Sequence, residues 1–349
     1  MAQLASPPEM RSVKALTPEK DHRLDTLDAT RFVAAMGVIW THALYGWSWR
    51  QLGAFSVPFF VIAAVMLVGD GLRRNPDRPW TGYVRKRFLR VYVPFLVWSI
   101  IYFMLKNVQD WVHLTHRGNP DNIGMLLFGT EFHLWFSPFI FVGTTLAFLL
   151  IRSFYRLGRG GYVWAASWTL AGIVVAWFSV PIFDTYCGMR FGLTRALYAL
   201  PAFCWALALT PALPTIRNWL GQRSVAFWIL ALTIAAHAVI IIRFERDVWK
   251  DNIGGVLLLL FALTPWPRVL TKCLAWGGRY AFGIYMIHEV GLWGFRKLLY
   301  YGPESSLPIL PSLGKQGNLL LLFALIASFS TVATILLTRF KFARWVMPG

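Results

Sequence analysis

"LDATRFVAAMGVIWTH", residues 27–42, sets an arginine at the mouth of an apolar helical pattern and a histidine deep inside it. Eleven residues at 100° each make three turns plus about 20°, so Arg31 and His42 project from one stripe of a helix. A rise of 1.5 Å per residue separates them by about 16 Å along the axis. Ionisable groups among lipid-facing helices are costly and turn toward a partner or a cavity. Two readings follow. Arg31 snorkels to the headgroups and pairs with Asp28 at i, i+3 while His42 bonds a neighbouring helix; or the two mark the ends of a path along which one elongated ligand touches both.

Composition supplies the solvent for this helix. Of 349 residues, 57% are hydrophobic and 16% aromatic, and the mean hydropathy is +0.52, far more apolar than a soluble domain of this length. Windows long enough to cross the hydrocarbon layer lie near 31–49, 53–69, 91–106, 133–151, 162–183, 193–210, 225–242, 253–266, 280–299 and 317–338. They predict an all-α polytopic integral membrane protein of about ten transmembrane helices.

The formal charge of +18 decides sidedness rather than a nucleic-acid partner, because the basic residues fall in short loops between apolar windows and not along one helix face. Roughly two-thirds of the 34 Lys and Arg lie on the side of the termini, which predicts cytoplasmic N and C termini. Residues 1–26 are polar, with prolines and mixed charges and no apolar run ahead of a small-residue cleavage site. They read as a flexible cytoplasmic extension, followed by one transmembrane domain over 27–349. Cys187, Cys204 and Cys273 show no paired spacing, and no metal ligand set is expected.

Several stretches together resemble the membrane-bound acyltransferase-3 family, whose members move acyl groups, often acetyl, onto sugars of bacterial surface glycans. Leu27, Asp28, Arg31 and His42 are similar to its first-helix signature. "VPFFVIAAVML", residues 57–67, resembles the second-helix stretch, with Ala63 and Ala64 where serine and glycine are usual. "YVRKRFLRVYVPFLVW", residues 83–98, resembles the basic entry to the third helix, "HLWFSPFIF" from His133 the fourth, and "FGIYMIH" ending at His288 the penultimate one. Glu289 departs from the pattern, standing where proline commonly follows the histidine. The likeness runs over roughly 24–340.

The resemblance implies a cytoplasmic acyl-CoA donor, probed first by its phosphates, with no permanently bound cofactor. Arg85, Lys86, Arg87 and Arg90 are then the expected docking site, since guanidinium groups bond phosphate bidentately; as a bare cluster they equally suit positive-inside anchoring. Arg31 receives the donor at the rim and its thioester reaches His42. A neutral imidazole, whose ordinary pKa is about 6.5, takes the proton of an attacking sugar hydroxyl, or itself attacks to form an acyl-imidazole.

Glu131, His133 and Trp135, beside Trp47 and Trp49, are expected to bind a carbohydrate acceptor, with His288 lining the same cavity; tryptophans also form ordinary interfacial belts. His288 and Glu289, adjacent on a helix, diverge by 100° and need not share a partner. The whole reads as an acyltransferase of the bacterial inner membrane acting on a lipid-carrier-linked glycan of exopolysaccharide synthesis. Its rivals are a proton-coupled secondary transporter and a non-catalytic partner of a polysaccharide synthase. Against a transporter stand the scarcity of mid-membrane carboxylates and the absence of repeat symmetry.

Overall fold

In the computed structural model, residues 22–44, 48–113, 127, 129–131, 133–157, 160–186, 192–243, 248–299, 313–341 and 346–347 are described, and among them there is helix and no strand. Helix α1 (His22–Ala43) starts five residues ahead of Leu27, carrying Asp25 in its first turn and His42 in its last. A short 3-10 turn, Ser48–Gly53, leads into α2 (Ser56–Arg74). Helix α3 (Trp80–Arg87), a π turn (Phe88–Tyr92) and α4 (Val93–His113) run on from one another. Then follow α5 (Phe136–Leu157), α6 (Gly161–Tyr186), α7 (Gly192–Leu209), α8 (Leu213–Gly221) and α9 (Ser224–Arg243). The chain continues through α10 (Val248–Ala262), α11 (Arg268–Gly278), α12 (Ala281–Leu299) and α13 (Gly314–Thr338).

Each apolar window of the sequence overlaps one of these helices, and length and composition mark fewer than ten of them as spans among the described residues. Among the described residues six stretches are long and apolar enough to cross a membrane: Trp49–Arg74, Trp80–Val108, Phe136–Leu157, Gly161–Ser179, Ser224–Arg243 and Gln316–Leu337. Helices α7 and α8, bent by 83° at their junction, make a seventh if counted as one broken span. The physical reason lies in the charges. Helix α1 carries Arg23, Asp25, Asp28 and Arg31, α10 carries Lys250 and Asp251 in fifteen residues, and α12 carries His288, Glu289, Arg296 and Lys297. These helices are screened by protein rather than lipid, and so need not be apolar all round.

Packing sorts the helices the same way. Helix α1 is central, touching α2, α10, α11, α12, α13 and the 3-10 turn. By contrast α6 and α9 leave large apolar side chains outward, Trp177 at 72% and Leu232 at 70% exposure. That inversion of a soluble surface is what a lipid solvent permits. The main core gathers Phe59, Phe95, Tyr102, Phe148 and Leu207 from α2, α4, α5 and α7, and a second core joins Ala35 and Ile39 of α1 to Ile284 of α12 and Leu322 and Ile326 of α13.

Close approach of α1 to its neighbours depends on two glycines. A Cβ on Gly278 of α11 would collide with the Asp28 carbonyl oxygen, and one on Gly37 would collide with the Ser56 hydroxyl of α2. Bare Cα atoms let backbones touch where a methyl would part them.

Candidate active site

Three elements meet at the end of α1. His42, in its last turn, points Nδ1 at Oε1 of Glu289, 3.4 Å away on α12. Its ring centroid lies 5.1 Å from that of His288. The His288 ring is in turn 4.8 Å from His133, edge-on, in the turn that leads into α5. His288 is fully buried and His133 and Glu289 nearly so, whereas the His42 side chain keeps 21% of its surface open. The cluster is buried except at His42, which is partly open.

Helix α12 fixes both halves of His42. Glu289 meets its ring, and Arg296, two turns on, donates from Nη2 to the His42 carbonyl oxygen at 3.1 Å. Adjacent residues on α12, which the helical period does not oblige to share a partner, both stand beside this imidazole. The 100° between them opens a notch, and His42 stands in it.

The supporting hydrogen bonds set one tautomer. His288 Nδ1 lies 2.6 Å from the Tyr285 carbonyl oxygen; a carbonyl only accepts, so Nδ1 carries the proton and the neutral ring presents its Nε2 lone pair. That Nε2 is buried and has no hydrogen-bond partner among the described residues. Tyr285 donates its hydroxyl to the His133 carbonyl oxygen, and Tyr102 of α4 donates to the Met286 carbonyl oxygen at 2.7 Å while its ring stands 5.3 Å from His133. Glu131 is held by Lys106 of α4, with Nζ and Oε1 2.6 Å apart, and Lys106 also donates to the Thr130 carbonyl oxygen.

The remaining expected residues sort as follows. Arg31 lies near the middle of α1, eleven residues before His42, and pairs with Asp28 at 2.8 Å, both side chains about a third exposed. This is the plain i, i+3 pair. Arg85, Lys86 and Arg90 are exposed, but Arg87 turns inward. It donates from Nε to the Tyr83 hydroxyl at 3.2 Å, and its guanidinium sits 5.8 Å from that ring. The four-residue docking cluster is thus three outward cations and one that packs. Trp135 is buried against Phe136 and Phe139, at ring distances of 5.9 and 5.8 Å, rather than presenting a face beside the histidines. Trp47 and Cys187 lie outside the described residues, and Trp49 is exposed.

Tyr102, Lys106 and Arg296 escape sequence reading. Lys106 and Tyr102 share a face at i, i+4 within an apolar window, which is the signal that marks them once α4 is recognised. Tyr285 lies three residues before His288 in "FGIYMIH" and shares its face for the same reason.

The described residues form an all-helical, multi-pass membrane protein whose central helices bring three histidines and a carboxylate together. A family model described as an acyltransferase domain matches residues 24–339, and the chain belongs to that family, acyltransferase-3. Searches of the curated proteins and of the solved structures find no match.

Proposed function

We propose that this membrane acyltransferase takes an acyl group, acetyl, from cytoplasmic acyl-CoA and places it on a carbohydrate hydroxyl presented from the other face of the bacterial inner membrane, in surface-glycan or exopolysaccharide synthesis. The observation that carries the reading is the His42–Glu289 pair, in the only partly open position of an otherwise buried cluster. Family membership favours catalysis over the transporter and assembly-partner readings.

With Nδ1 directed at the Glu289 carboxylate, His42 works through Nε2. The acceptor hydroxyl gives its proton to that nitrogen as its oxygen attacks the thioester carbonyl. Glu289 holds the ring in the required tautomer and offsets the charge of the imidazolium that forms, the division of labour familiar from carboxylate-oriented imidazole bases. Collapse of the tetrahedral intermediate breaks the carbon–sulfur bond, and the departing thiolate takes the proton back from Nε2. The acylated hydroxyl and CoA are the products. Arg31 and the exposed Arg85, Lys86 and Arg90 serve the anionic donor. Glu131 and His133, held by Lys106 and by the α12 tyrosine, line the acceptor side.

His42→Ala tests this. Membranes carrying the wild-type chain are expected to move labelled acetyl from acetyl-CoA to surface glycan, and His42→Ala membranes with equal protein to move none. Undiminished transfer by the variant overturns the catalytic role of His42. Absence of transfer by the wild type, onto any glycan of a host whose O-acetylation depends on the gene, overturns the reaction.

A further inference from the structure

We infer that His42, His288 and Glu289 form a binding site for a divalent transition-metal ion of the zinc type, and that an ion bound there blocks the transfer. The inference about binding stands on the geometry; its consequence rests on the reading of His42 as the base.

The three side chains each bring one ligand atom, and these atoms lie within 4.8 Å of one another. A tetrahedral zinc ion with bonds of about 2.0–2.1 Å holds its ligand atoms about 3.4 Å apart. His42 Nδ1 and Glu289 Oε1 are already at 3.4 Å. That separation is loose for a charge-assisted N–H···O bond, which closes to about 2.7–2.9 Å, but it matches one edge of such a tetrahedron. Small side-chain rotations bring the other separations, none above 4.8 Å, to the same edge.

His288 is prepared for the role. Its Nδ1–H is spent on the Tyr285 carbonyl oxygen at 2.6 Å, so the Nε2 lone pair is buried with no hydrogen-bond partner among the described residues. A ligating histidine is characteristically oriented by this very bond from its other nitrogen to a backbone carbonyl or carboxylate. Burying a lone pair without a partner is unfavourable, and a cation satisfies it.

Two imidazoles and one carboxylate suit zinc and its first-row neighbours, not calcium or magnesium, which require shells of oxygen. One ligand position then remains, which solvent fills past the partly open His42. An ion on Nδ1 takes the lone pair of the His42 ring at that nitrogen and obliges Nε2 to carry the proton. The ring then has no basic nitrogen to offer a hydroxyl.

Zinc titration of the purified full-length chain in detergent, read by calorimetry and by metal analysis after gel filtration, is expected to show one tight equivalent per chain. His288→Gln and Glu289→Gln are each expected to lose it. Zinc-edge X-ray absorption of the wild-type complex, which does not depend on how a variant folds, is expected to show only nitrogen and oxygen neighbours, including two imidazoles, near 2.0–2.1 Å. No stoichiometric zinc, retention of the equivalent in both variants, or sulfur neighbours at about 2.3 Å from Cys204 or Cys273 overturns the site. Acetyl transfer is assayed in parallel. Loss on adding zinc and recovery on chelation is expected; one bound equivalent with transfer undiminished leaves the metal site standing and overturns the role of His42 as base.

Discussion

Glu289 Oε1 and His42 Nδ1 face each other across 3.4 Å between α12 and α1, and the carboxylate stands one residue after His288, where proline is usual in the family. Proline there would remove a backbone donor and could not orient an imidazole. In this chain the second position has become a partner of His42. Glu289→Gln keeps the shape and removes the charge. It is expected to lower kcat for acetyl transfer by about 10²–10⁴-fold, the range for loss of a group that orients a general base. KM for acetyl-CoA should stay near its wild-type value if Glu289 acts on His42 rather than on the donor. Steady-state kinetics in membranes of matched protein content measure both, and a KM effect with kcat intact would assign Glu289 to binding instead.

Arg31 stands three turns before His42 on the same helix, and its pairing with Asp28 separates two roles. An ion pair a third exposed contributes little to stability, about 0–1 kcal/mol. If the arginine serves the donor, Arg31→Ala raises KM for acetyl-CoA about tenfold or more, the worth of one charge-assisted hydrogen bond, while Asp28→Asn leaves it unchanged or lower by freeing the guanidinium. Equal, small effects of the two variants would return Arg31 to a plain surface pair.

The basic entry makes a split prediction because its members point differently. Alanine at Arg85, Lys86 and Arg90 together is expected to raise KM for acetyl-CoA, with the effect fading as salt is raised through 0.15 M toward 1 M, where exposed charges are screened. Arg87→Ala removes a cation from the Tyr83 ring and a donor from its hydroxyl. It is expected to lower the midpoint of thermal unfolding in detergent by a few degrees, corresponding to about 1–2 kcal/mol, with KM little changed. Kinetics at several salt concentrations and a melting curve for each variant decide it.

How much of this was legible in the sequence depends on which force placed each residue. Helices impose a period, and apolar windows reported all of the long ones, including those that contain the site. Length and composition alone mark fewer spans among the described residues, because α10 is fifteen residues long and α1 and α12 each carry several charges. His42 was readable as an ionisable group costly in lipid, and His133 and His288 through the family likeness. The Glu289 contact was not, since a helical period separates neighbours by 100° and only the position of α1 in the notch turns both toward one ring. Trp135 is a different case. Its residue type suits sugar stacking, but α5 begins so that the ring packs on Phe136 and Phe139. Lys106 and Arg296 reach the site from windows that composition describes only as apolar helix.

The placement of His42 depends on how closely α1 can lie against its neighbours, which gives a prediction remote from the chemistry. Gly278 of α11 lets the backbone of α1 approach at Asp28, where a Cβ would meet the carbonyl oxygen. Backbone cannot swing aside as a flexible side chain can, so Gly278→Ala must separate the two helices. An overpacked contact of this kind costs about 1–3 kcal/mol. The variant is expected to melt at lower temperature in detergent and to lose transfer as α1 shifts and His42 leaves the notch beside His288 and Glu289. Gly71→Ala is the control, since a Cβ there meets nothing closer than the Arg78 guanidinium at 3.6 Å. A Gly278→Ala protein with wild-type melting and transfer would show that α1 and α11 are not held at backbone contact, and would remove this pair of helices from the positioning of the base.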